Sequence, residues 1–156
     1  RAGDLNVIQI FQPFVEQLVA DGAGHIWYAA ATRGAPSYTT LSTLDSTLQT
    51  KRDKMGRMTR ALYRTQKWLH RSNSSTAAAA VAEFFPDLSL DTLAACIKRY
   101  KALGLWGENP ILPRDGFDRL QACGLSGKLF KTGAPYEACV DISLAREAIE
   151  ADPPSM

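Results

Sequence analysis

The sequence predicts an α/β fold, and three observations carry that prediction. Residues 5–11, LNVIQIF, are rich in β-branched and aromatic side chains, as a strand is. Residues 25–31, HIWYAAA, make a second such run, and between the two Pro13 opens a segment with helical spacing. Strand, short helix and strand form a βαβ unit with parallel strands, and the chain beyond it is helix-rich without strands of its own.

The first strand is apolar on both faces, Ile8 and Ile10 on one and Val7 and Phe11 on the other, as strands covered on both sides are. Pro13 suits the first helical position, where its missing N–H leaves no bond unmade. Phe14, Val15, Leu18 and Val19 make one apolar face, and Gly22 and Gly24 end the helix. After the second strand, TRGAPSYTT is a loop by its Gly, Pro, Ser and Thr content, and residues 38–43 form a third extended piece. A long helix spans residues 46–70. Met55, Met58, Ala61, Leu62, Thr65, Trp68 and Leu69 share one face, and Arg57, Arg60, Arg64, Lys67 and Arg71 fall nearly opposite. Gly56 weakens this helix by about 1 kcal/mol relative to Ala without breaking it. RSNSST separates it from AAAAVAEFF, a short helix stopped by Pro86. Ser89 caps a helix over residues 90–103, and Gly104 with Leu105 behind it reads as a Schellman ending. Residues 117–123 are a short helix closed by Gly124, residues 125–140 are irregular, and Asp141 or Ser143 caps a last helix over 142–150.

At 156 residues the chain is long enough for one domain with a real core. Its 46% hydrophobic and 22% charged composition is globular. A net charge of +2 excludes a strongly basic nucleic-acid binder on bulk charge, though not a local patch. No apolar run approaches the roughly 20 residues that span a bilayer. The opening RAGDLN has no initiator Met and neither region of a signal peptide, so a mature fragment or a truncated chain is expected. Cys96, Cys123 and Cys139 are too widely spaced for a zinc site, and an odd count allows at most one intrachain disulfide. No metal and no cofactor is expected.

Phe11-Gln12-Pro13 is the first candidate site. In open α/β sheets, ligands bind beyond the carboxyl ends of strands, at the following helix N-termini. Free N–H groups there favour anions, and Gln12 adds a neutral donor and acceptor where Glu would repel. A plain strand-to-helix turn explains the same residues. The second candidate is the run from Lys51 to Arg71, with eight Lys or Arg against the single acid Asp53. Tyr63 and Trp68 interleave it, which invites nucleic acid. The helical wheel, however, puts Trp68 with the apolar set and leaves the cations as a solvated face. His25 and His70 share no motif, and no nucleophile, phosphate-loop or dinucleotide motif is present; GLSGKL, residues 124–129, lacks the spacing and the preceding strand of a phosphate loop. NSS at Asn73 matches a glycosylation sequon, relevant only in a eukaryotic secretory setting. Asp115 and Asp118 are explained by compensation of a helix N-terminus.

Several phrases together carry a resemblance. GDLNVIQIFQPFVE resembles a segment of the solute-binding proteins that serve ABC importers of the nitrate, sulfonate, taurine and thiamine-precursor type. YTTLSTLDSTLQTKRDKMGRMTRALYRTQKWLH resembles the same family's crossover and long helix. FFPDLSLDTLAACIKRYKALGLW and RDGFDRLQACGLSGKLFKTGAPYEACVDISLAREAI resemble its C-terminal helices. The resemblance implies part of a two-lobed, type 2 periplasmic-binding-protein fold. Residues 1–40 would end the second α/β lobe, and residues 41–156 would hold the crossover and the C-terminal helices that pack toward a first lobe absent from this chain. Gln12 stands where the family often has an acid, and LQTKRDKMGR is more basic than the family's helix start. The related thiamine-pyrimidine synthases have a cysteine cluster not found here.

The resemblance implies a binding protein and not an enzyme. It would capture a small solute by lobe closure and present it to a membrane permease, in the periplasm or otherwise outside the cytoplasmic membrane. The cleft-facing residues would be Phe11, Gln12, Tyr38 and Thr39, with no nucleic-acid partner. The alternatives are a fold-related enzyme of pyrimidine or menaquinone biosynthesis, or a basic helical module binding nucleic acid. Helices that should cover a first lobe would expose an apolar face, so homo-association of this chain is expected.

Overall fold

A strand exists only where a second strand takes up its N–H and C=O groups, and none of the described residues finds such a partner. The computed structural model describes residues 5–156, and its regular elements are all helices. Residues 5–11 and 25–29 carry strand composition but no regular structure. Leu5, Val7, Ile8 and Phe11 are exposed and Ile10 is half-buried, so the two apolar faces of the expected strand are mostly uncovered. Residues 30–33 close into a 3-10 turn, and residues 38–43 are irregular. The α/β expectation, with its βαβ segment and its partial two-lobed binding-protein fold, is thereby corrected. Gly3 and Asp4, which begin the first resembling phrase, lie outside the described residues.

The helices are α1 Phe14–Ala20, α2 Asp45–Thr50, α3 Arg52–Arg71, α4 Ser74–Val81, α5 Leu90–Ala102, α6 Arg114–Ser126, α7 Tyr136–Cys139 and α8 Ser143–Glu150. The chain divides into two compact units. One comprises Arg1–Ala30 with Ser72–Leu103, the other Ala31–Arg71 with Gly104–Met156.

In the first unit, α1 ends in a Schellman motif. Gly22 takes a left-handed φ of +64°, its N–H reaches Val19 O at 3.1 Å, and Ala23 N–H reaches Leu18 O at 2.9 Å. Asn73, from the expected spacer RSNSST, is instead the cap of α4: its Oδ1 accepts Thr76 N–H at 2.8 Å. Ser89 caps α5 as the sequence predicts, its Oγ accepting Thr92 N–H at 3.1 Å. The alanines of α4 let it lie close against α5, and Ala77, Ala78, Leu93 and Cys96 form the buried core.

In the second unit, the expected long helix is interrupted at Lys51, whose backbone (φ −127°, ψ 27°) separates α2 from α3. α3 packs on α8, with Gly56 facing Leu144 and with Ala145 and Ala148 buried. Asp141 Oδ1 accepts Ser143 N–H at 2.7 Å at the start of α8; hydrogen bonding from the Ser143 side chain, and then from its backbone N–H, holds the Asp141 carboxyl below its usual range. α6 begins earlier and ends later than expected. Gly124 lies inside it, buried beneath Phe130, and does not terminate it. α7, in the stretch expected to be irregular, stacks Tyr136 edge-on against Phe117 of α6 at 5.4 Å. Across the described residues the buried apolar set is small: four alanines, Leu93 and Cys96, with no large side chain fully enclosed.

Candidate functional site

Gln12 stands just before α1, across a cis Gln12–Pro13 peptide. Its side chain caps the helix from one residue further out than usual. Oε1 accepts the N–H of Glu16 at 3.3 Å, and Nε2 donates to Glu16 Oε1 at 2.9 Å. This is the reciprocal logic of a capping box, shifted by one position. The Glu16 carboxylate consequently sits in the first turn of α1, where the helix dipole favours negative charge.

Glu16 is 7% exposed, and a buried carboxylate needs a partner. Arg99 of α5 supplies one as a two-pronged fork: Nε donates to Oε1, and Nη2 donates to Oε2 at 3.1 Å. The Arg99 hydrogen bond holds the Glu16 carboxyl below its usual range, against the opposing effect of burial, and Gln12 adds to the lowering. The same bond raises Arg99. Cys96, one turn before Arg99, donates its S–H to Gln12 Oε1 at 3.4 Å. Burial, and then the negative Glu16, push its thiol above the usual range. The four side chains thus form one hydrogen-bonded cluster between α1 and α5.

On the flank of α1 lies a groove of about 550 Å³ lined by Ile10, Phe14, Gln17, Leu18, Ala20, Asp21 and Thr92. It is an open depression with a mostly apolar wall and a few polar groups.

Of the four residues expected to face a ligand, Phe11 and Gln12 belong to this first unit. Phe11 is 77% exposed, whereas both heteroatoms of the Gln12 amide are engaged by the cluster. Tyr38 and Thr39 belong to the second unit and are exposed there, Tyr38 at 82%. The loop before them is pinned on α6. Ser37 N–H reaches Gly116 O at 3.0 Å, and Arg119 Nη1 donates to Arg33 O at 3.1 Å, its guanidinium lying over Gly34 at φ +101°. Sequence reasoning missed Glu16, Cys96 and Arg99. The four-residue step from Gln12 to Glu16, spanning a helix start, was the available signal for the first. Arg99 continues the Leu93–Cys96 stripe of α5, which is an unusual place for a cation to sit unless it has a buried partner.

The cations of α3 are not simply a solvated face. Lys67 Nζ binds the Asp152 carboxylate and donates to Pro153 O at 2.8 Å, Arg64 Nε donates to Pro154 O at 3.1 Å, and Arg71 Nη1 donates to Ser155 Oγ at 2.9 Å. The segment after α8 is strapped along the helix by these bonds. Among the described residues, no group of three or more His, Cys, Asp or Glu is arranged to hold a metal ion, the three cysteines are free, and no helix is long and apolar enough to cross a membrane.

The chain is 27% identical over 148 residues to a protein of Bacillus subtilis (strain 168) named "Putative binding protein YtlA". The alignment covers 94% of this chain and 44% of that protein, so the chain spans less than half the length of the relative it matches. No family model matches the chain. No solved structure matches it significantly. The likeness is to a binding protein, at a distance that leaves its ligand open.

Proposed function

We propose that this chain is part of the substrate-binding component of an ABC importer. It captures a small solute of the nitrate, sulfonate, taurine or thiamine-precursor class and hands it to a membrane permease, outside the cytoplasmic membrane, without catalysing a reaction. The observation that carries this reading is the alignment of 94% of the chain with a protein named for binding. The groove beside α1 supports it, being lined by Ile10 and Phe14, which bracket Phe11 and Gln12 in the sequence. Gln12 contributes by fixing that helix start, and Phe11 contributes as an exposed group ahead of it.

Calorimetric titration of the chain with nitrate, taurine, an alkanesulfonate and an aminopyrimidine tests the proposal. Saturable binding of one of them is expected, weakened by Phe11→Ala. If none of the four binds, the transport reading fails.

A further inference from the structure

We propose a second binding site, for a small multiply charged oxyanion of the phosphate class, on the outer face of α3. Arg57, Arg60 and Arg64 follow one another at three- and four-residue steps and therefore share one side of the helix. With Ala61 they form one wall of a groove of about 310 Å³, whose other wall is Pro153 and Pro154. All three arginines line the same depression, and guanidinium groups are donor sets that suit the oxygens of a phosphate.

The groove is ready for such an ion. Arg60 has no hydrogen-bond or ion-pair partner among the described residues. Arg57 has only the exposed, one-turn pair with Asp53, which solvent weakens. Arg64 is tied through Nε to Pro154 O at 3.1 Å, which orients the guanidinium and leaves its two Nη groups for the groove. The two prolines stiffen the opposite wall.

The same geometry argues against a polyanion. The next cations along α3, Lys67 and Arg71, are already held by Asp152, Pro153 and Ser155. A nucleic-acid backbone needs a track of free cations, whereas three arginines around 310 Å³ fit one or two phosphoryl groups. None of the lining residues belongs to the solute site proposed above, so each proposal stands or falls alone.

Calorimetric titration of the full chain with inorganic phosphate and pyrophosphate at low ionic strength tests the inference. One saturable site is expected, tighter for pyrophosphate. Arg60→Gln should weaken it about tenfold, the loss of one charge-assisted pair of hydrogen bonds. Lys54→Gln, the same charge change on the same helix outside the groove, should leave it intact. If Arg60→Gln fails to fold by circular dichroism, Arg57→Gln replaces it with the same expectation. Absence of pyrophosphate binding by the unaltered chain overturns the proposal, as does equal weakening by Lys54→Gln. Arginine-dependent binding only to phosphatidic-acid vesicles, or only to duplex DNA, overturns it in favour of a surface or a polyanion.

Discussion

Arg99 closes a fork on Glu16, Nε to Oε1 and Nη2 to Oε2 at 3.1 Å, and thereby ties the first turn of α1 to the last turns of α5. The two ends of this bond differ. The Glu16 side chain is 8% exposed and that of Arg99 is 38% exposed. Removing one partner has unequal consequences, because what matters is the group left behind.

Arg99→Ala leaves a carboxylate in a buried place with only Gln12 to bind it, and the expected loss is about 2–3 kcal/mol. Glu16→Gln leaves a guanidinium that water can reach, and about 1 kcal/mol is expected. The acid response follows from the depressed Glu16 carboxyl. Its contribution is present above the ordinary carboxylate range and is lost as pH falls through its lower, folded-state value. Urea unfolding as a function of pH checks this: stability of the unaltered chain falls on acidification, and Glu16→Gln removes part of that fall. An unchanged acid limb in the variant refutes the assignment.

The Cys96 thiol shows the opposite sign. Burial and Glu16 raise it, so the folded chain holds its proton more firmly than the unfolded chain does. The contribution is full below the ordinary thiol range and is lost as pH rises through the folded value. Thiolate is the reacting form, so Cys96 is expected to be slow. Iodoacetamide at mildly alkaline pH, followed by peptide mass analysis, should modify exposed Cys123 and Cys139 first and Cys96 only in urea. Labelling of all three at one rate refutes the expectation.

The helices were legible wherever a local rule decides them. Ser89 before an apolar period announces its cap, and Gly104 after it takes the left-handed φ of +62° that ends the helix. Strands failed for a physical reason. VIQIF has the composition of a strand, but pairing is a property of two segments, and composition carries no information about the second. Gly124 misled in a similar way, since the missing Cβ that suits a helix end also suits a close approach, here by Phe130. At the Gln12 junction the helix start was readable, whereas Arg99 lies 83 residues beyond Glu16 and no spacing rule reaches that far.

Two glycines in helices should respond oppositely to alanine. At Gly56 an added Cβ would meet Arg60 Nη1 at 3.4 Å and Leu144 Cδ2 at 3.7 Å, ordinary contacts against movable atoms. Gly56→Ala therefore gains helix propensity and is expected to stabilise by about 0.5–1 kcal/mol. At Gly116 an added Cβ would collide with Ser37 Oγ and lie 3.1 Å from Ser37 N and 3.3 Å from Ala35 O, which are backbone atoms of the loop leading to Tyr38. Gly116→Ala should cost about 1–3 kcal/mol by lifting that loop from α6. Thermal unfolding of both variants checks the pair, and a shift in the same direction for both refutes the packing account.

The last prediction concerns what the apolar surface does in water. Among the described residues Trp27 is 79% exposed, Leu129 82%, Leu44 73% and Phe84 70%, while the buried set consists mainly of alanines. Each unit retains such side chains: Trp27 and Phe84 lie in the first, Leu44 and Leu129 in the second. Burying a large apolar side chain is worth about 1.5–3 kcal/mol, so covering several of them with a second copy outweighs the entropy of association once protein concentration is high enough. The chain is therefore expected to bind a hydrophobic dye and to self-associate with rising concentration in sedimentation experiments. Trp27→Ser and Leu129→Ser should weaken both responses, and salt should leave association undiminished, because the contact is apolar and not ionic. A chain that sediments as a monomer at every concentration and binds no dye would show instead that its apolar side chains are covered within the chain itself.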